Sequence, residues 1–113
     1  SPKLFRVAES AFTPISAASE LDSKRPVLLF VGAERCVHCR KLWQLLAHEK
    51  LSSRIAQLDT RYLDADQHQD LATTLGVRGL PTLLLLKAGQ PATRAPAQLS
   101  VDNLFDWLNR AAE

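Results

Sequence analysis

Two unbroken apolar runs, VLLFV at 27–31 and LPTLLLL at 80–86, set the tightest limits on what this chain can fold into. A strand with one face in water alternates apolar and polar residues. A run without alternation suits a strand covered on both faces, as in a parallel or mixed sheet. Neither run approaches the roughly 18 apolar residues of a membrane span. Gly32 ends the first run, and Pro81 opens the second strand, expected over Thr82 to Leu86 with a turn at Ala88–Gly89.

Helical spacing follows the first run directly. Cys39, Leu42, Trp43 and Leu46 recur at i, i+3, i+4 and i+7, with Leu45 widening the stripe, and predict an amphipathic helix whose Trp43 faces the core. Residues 60–66 read as another strand, and 68–77 as a short helix stopped at Gly76. Near the end, 100–112 reads as an amphipathic helix with Ser100 as N-cap and Val101, Leu104, Phe105 and Leu108 as its apolar face. Weaker signals predict a short strand at Leu4 to Val7, a short helix within 15–26 and a proline-broken edge strand within 91–99. Strands alternating with helices, then two strands and a last helix, predict an α/β fold: a central mixed β-sheet flanked by helices. The 113 residues fit a single domain, 1–113, long enough to bury a core unaided.

The formal charge of +2, with no Lys/Arg run longer than two, gives no nucleic-acid surface. The chain holds no methionine. A processed or trimmed form is therefore expected, and a removed leader or anchor leaves no trace in it.

The two cysteines of the chain stand together in ERCVHCRK, 34–41. As a staple the pair would close a loop of two residues, which removes little entropy from the unfolded chain. As a metal clip it lacks a second Cys pair, and His48 and His68 do not form a His-x3-5-His arm, so no metal is expected. A redox centre has a direct physical logic. Cys36 falls at a helix start, where unsatisfied N–H groups and the positive end of the helix dipole favour a thiolate. Arg35, Arg40 and Lys41 add positive charge around it, His38 lies between the two cysteines in sequence, and each favours the thiolate. Cys39, one turn further in, is shielded yet close enough to attack a mixed disulfide.

CVHC after VLLFVGAE, followed by LDADQHQDLATTLGVRGLPTLLLLKAGQ, resembles the thioredoxin family over nearly the whole chain. The resemblance implies a thioredoxin fold and a thiol–disulfide oxidoreductase with Cys36 attacking and Cys39 resolving. It also implies a cis Pro81 facing the disulfide and a Leu80 backbone that pairs with an extended substrate, with Val37 and Arg35 on the substrate side. No cofactor is implied. The partners are protein substrates with Cys pairs and a redox partner protein, and a monomer is expected.

This chain departs from the family at several positions. Phe30 stands where thioredoxins bury an acid, Tyr62 where a lysine often accompanies it, Arg35 in place of tryptophan, and Val37–His38 in place of Gly-Pro. Histidine before the second cysteine is found in protein disulfide isomerases and bacterial disulfide-bond oxidases, and it makes the disulfide more oxidising. The missing Met, the absence of further cysteines and the CVHC motif lead to the expectation of a cell-envelope location such as a bacterial periplasm, with the cytoplasm as the alternative. The rival to an enzyme is a non-catalytic thioredoxin-like module that binds partners or senses redox state, a reading that rests on Phe30.

Overall fold

The computed structural model describes residues 9–111. Strands β1 (Thr13–Pro14), β2 (Val27–Gly32), β3 (Asp59–Asp64), β4 (Thr82–Leu86) and β5 (Thr93–Arg94) form one sheet in the order β1-β3-β2-β4-β5. β3 runs parallel to both β1 and β2, and β4 runs antiparallel to β2 and β5. Helices α1 (Val37–Leu46), α2 (Glu49–Ile55), α3 (Gln69–Thr74) and α4 (Val101–Ala111) surround it.

The apolar runs divide as their lack of alternation requires. Leu28 and Phe30 of β2, with Leu83 and Leu85 of β4, point to one face. There they meet Leu42, Trp43 and Leu46 of α1, Leu51 of α2, and Leu104 and Leu108 of α4. Leu29, Val31 and Leu84 point to the other face and pack with Ile15, Leu63 and Ala72 of α3. Every residue of β2 is therefore buried. Side chains that alternate between two covered faces leave no position for a polar residue.

The elements expected within the described residues are present, with changes of extent. The stretch 60–66 contributes β3 over Asp59–Asp64, and the helix after it ends before Gly76, whose φ of +77° suits glycine. Ser100 caps α4 as expected, its Oγ accepting from Asn103 N at 3.1 Å. The buried stripe of α4 includes Trp107 beside Leu104 and Leu108, whereas Val101 and Phe105 are only partly covered. The segment 91–99 gives just the two paired residues of β5, because its prolines lack the N–H a ladder needs. Within 15–26 the helix shrinks to one 3-10 turn, Ala18–Leu21. The strand expected at Leu4 to Val7 lies outside the described residues.

Two elements had no counterpart in the sequence reading. β1 adds an edge to β3, Thr13 opposite Arg61 and Pro14 opposite Tyr62. α2 is capped by His48, whose Nδ1 accepts from Lys50 N at 3.1 Å. It docks on α4 through fully buried Leu51, and Lys50 Nζ lies 2.7 Å from Asp102 and 4.7 Å from the centre of the Phe105 ring.

Candidate functional site

The end of β2 places the cysteine pair. Gly32 closes the strand, its carbonyl accepting from Ala65 N at 2.8 Å, and a turn from Ala33 to Cys36 leads into α1. Cys36 is the N-cap residue of α1, with extended backbone, and its Sγ accepts from Cys39 N at 3.1 Å. Sulfur thus takes the place that a serine or aspartate oxygen usually fills at a helix start, against N–H groups with no helical partner. A disulfide joins Cys36 to Cys39, with Cα atoms 5.2 Å apart.

The two sulfurs have different surroundings. Cys39 is 3% exposed and belongs to the main core, while Cys36 is half-buried at its edge. The helical stripe explains this: Cys39 shares the buried face with Leu42, Trp43 and Leu46. Arg35, His38, Arg40 and Lys41 are exposed, and so is Val37, at 66% the large apolar side chain most open to water among the described residues.

Pro81 reaches the same end of the sheet by register. Val31 pairs with Thr82, so the antiparallel ladder brings Pro81 level with Gly32. The Leu80–Pro81 bond is cis. The preceding loop is held in place by Thr82 Oγ1 donating to Gly79 O at 2.6 Å and by the Arg94 guanidinium donating to Gly76 O. A cleft of about 150 Å³ opens beside Pro81, lined by Leu42, Thr82, Leu83, Arg94, Ala95 and Pro96 among others. Cys36 and Leu80 both pack on the edge of the main core. The sequence-expected residues Arg35, Cys36, Val37, His38, Cys39, Leu80 and Pro81 therefore meet at one end of the sheet.

Behind the pair lies an aromatic cluster. The Phe30 ring stacks on Trp43 with centroids 3.8 Å apart and planes 4° from parallel, and the Phe12 ring meets Trp43 edge-on at 4.9 Å. Tyr62 lies 5.9 Å from Phe30 and 6.0 Å from Trp43. Burial, followed by the negative charge of Asp64, Glu9, Asp66 and Glu34, pushes the Tyr62 hydroxyl up to about 12. A side chain at Gly32 would enter this packing, since a Cβ there would lie 2.8 Å from Phe30 Cε1 and 3.1 Å from Cys39 Sγ. Sequence reading treated Gly32 only as a strand end. A glycine closing a buried strand just before a cysteine pair was the signal of this close approach. Among the described residues no group of three or more His, Cys, Asp or Glu side chains is placed to hold a metal ion.

Residues 7–110 match the sequence model of the thioredoxin family. The chain is 33% identical over 89 residues to thioredoxin of Mycobacterium bovis, covering 79% of this chain and 72% of that one. It is 31% identical over 97 residues to protein disulfide-isomerase of Oryctolagus cuniculus, covering 82% of this chain and 19% of the larger protein. Mitochondrial thioredoxin 3 of Saccharomyces cerevisiae, in its oxidized form, superposes with a TM-score of 0.72 at 18% identity, over 91% of this chain and 98% of that one.

The unequal exposure of the cysteines predicts selective alkylation. After reduction, brief iodoacetamide treatment of the native protein should label Cys36 well before Cys39, as read by peptide mass spectrometry. Faster labelling at Cys39 would contradict the geometry. Tyr62 is the one tyrosine of the chain, so tyrosinate absorbance reports it alone. Its raised value means the folded state holds the phenol proton more tightly than the unfolded chain does. The resulting stability is fully present below pH 10 and is lost as pH rises from 10.0 to about 12. The native titration midpoint should lie near 12, against 10.0 for the unfolded chain; coincident midpoints would show that the ring is not shielded.

Proposed function

Because this chain belongs to the thioredoxin family and is a protein thiol–disulfide oxidoreductase, we propose that Cys36 is its attacking sulfur and Cys39 its resolving one. The observation that carries this assignment is the asymmetry of the pair: Cys36 caps α1 at the protein edge, while Cys39 is buried behind it. In the reducing direction the Cys36 thiolate attacks one sulfur of a substrate disulfide. A Cys36–substrate bond forms, the substrate S–S bond breaks, and the other substrate sulfur leaves as a thiolate that takes up a proton. Cys39, once deprotonated, attacks Cys36 and releases the second substrate sulfur as a thiol. Two electrons pass to the substrate, and the Cys36–Cys39 disulfide is the oxidised product. Oxidation of a substrate dithiol is the same sequence reversed.

The neighbouring residues take the parts expected of them. Pro81 presents no N–H toward the sulfurs, so nothing on that side competes for the thiolate or the incoming disulfide. The Leu80 backbone pairs with an extended substrate segment, and Val37 and Arg35 contact it. The chemistry needs no cofactor or metal. Its partners are proteins with Cys pairs and a redox partner that resets the disulfide, and the domain works as a monomer. Among the described residues no helix is long and apolar enough to cross a membrane. A cell-envelope setting such as a bacterial periplasm fits the histidine within the motif.

His38, exposed and between the two cysteines in sequence, tunes the pair in this proposal. Any group that favours the Cys36 thiolate stabilises the reduced form, so it also makes the disulfide a better oxidant. For a two-electron couple about 30 mV corresponds to one unit of thiol pKa.

Catalysed reduction of insulin in the presence of dithiothreitol tests the activity. The wild-type chain should turn over insulin, Cys36→Ser should fall to the uncatalysed rate, and Cys39→Ser should accumulate a mixed disulfide visible by mass spectrometry. A Cys39→Ser variant that traps nothing while Cys36→Ser remains active would reverse the two roles. Replacing His38 with Pro should lower the reduction potential by about 30 mV or more on glutathione equilibration and raise the Cys36 pKa by about one unit. Unchanged values would remove His38 from the tuning groups.

A further inference from the structure

We propose that the substrates of this chain are disulfides flanked by Asp or Glu, selected by a cationic frame around Cys36. The inference rests on the redox reading above and names the substrate class of that site. Arg35, Arg40 and Lys41 stand on the loop and first turns of α1, and Arg78 stands in the loop that leads to Pro81; all four are exposed. Register places both loops at one end of the sheet. Four of the 14 Lys and Arg residues gather here with one of the 12 Asp and Glu residues, Glu34. The chain's excess of +2 therefore comes from this frame, and the rest of the molecule is close to balance.

Two further carboxylates at this end of the sheet stand on the β3 side of β2, away from β4 and the Pro81 loop. Asp64 closes β3 and Asp66 follows it, and these two, with Glu34 and Glu9, are the negative charges felt by Tyr62. Asp64 is further occupied by its own turn, its Oδ1 accepting from Asp66 N at 2.9 Å and Gln67 N at 3.2 Å. A substrate segment crossing from Cys36 to the Leu80 backbone follows the path between the two basic loops. Along it the segment meets exposed Val37 and the surrounding cations. The complementary segment has an apolar residue beside its cysteine and acidic residues flanking it.

A single exposed charge pair contributes little. Several like charges around one path act together on the approach of the substrate, and their effect is screened by salt. The effect therefore falls on kcat/KM at low ionic strength.

Three disulfide-bonded peptides of one sequence, differing only in Asp/Glu, Ser or Lys flanks, test the proposal. At low salt the acidic peptide should be reduced with a kcat/KM about tenfold above that of the Lys peptide, with the Ser peptide between them. High salt should bring the three within about twofold of one another. In the Arg40→Glu/Arg78→Glu double variant the order of the acidic and Lys peptides should reverse. The salt dependence of the wild-type chain decides the matter even where that variant folds poorly. Equal rates on all three peptides at low salt, or a preference that salt leaves unchanged, would overturn charge selection and leave the oxidoreductase activity standing. Turnover of none of the three would overturn the activity itself, and the inference with it.

Discussion

The burial of β2 on both faces and both edges is the constraint on which the rest of the molecule depends. Val27–Gly32 pairs with β3 on one side and β4 on the other, and all its side chains are out of water. A strand so enclosed has little freedom to slip, because a shift of one residue would exchange the sets that face α1 and α3. Its C-terminal end is therefore a fixed point. Cys36 follows from that point by one short turn, and Pro81 arrives beside it through the Val31–Thr82 pairing. The reactive end of the molecule is an outcome of strand register.

Close packing behind the pair extends this constraint to the chemistry. The Phe30 and Trp43 rings stack, and Gly32 leaves room for both Cys39 Sγ and the Phe30 ring to approach it. Where the resemblance led one to look for a buried acid and its lysine, this chain has two aromatic rings 5.9 Å apart. Such surroundings hold the buried sulfur by dispersion and shape, and Phe30 and Tyr62 offer it no carboxylate to take its proton. The half-buried sulfur of Cys36, by contrast, accepts from Cys39 N at the start of α1, in a stretch whose Arg35 and His38 are exposed. The same disulfide thus joins an apolar environment to a polar one, the division of labour that an attacking and a resolving sulfur need.

Much of this was legible in the sequence because burial leaves a periodic trace. VLLFV and LLLL lack alternation because both faces are covered, and Cys39, Leu42, Trp43 and Leu46 mark a stripe that the structure buries. Short elements leave no such trace. α2 is seven residues long, about two turns, and its one fully buried residue is Leu51. β1 and β5 have two residues each, too few to show alternation. Trp107 was passed over on α4 although it stands three residues after Leu104, on the same stripe.

The sequence by itself determined that two strands lie in the middle of a sheet and that a cysteine pair opens the helix after the first of them. It also determined which cysteine of the pair faces the core. These are local properties, written in spacing along the chain. Only the tertiary structure decided which strands neighbour β2, that Pro81 stands level with Gly32, and that Phe12, Phe30, Trp43 and Tyr62 gather into one cluster. It also decided that Arg78 joins Arg35, Arg40 and Lys41 at the same end of the sheet. Such meetings depend on the path by which the chain returns, and residues far apart in sequence carry no periodic record of the neighbours they will find.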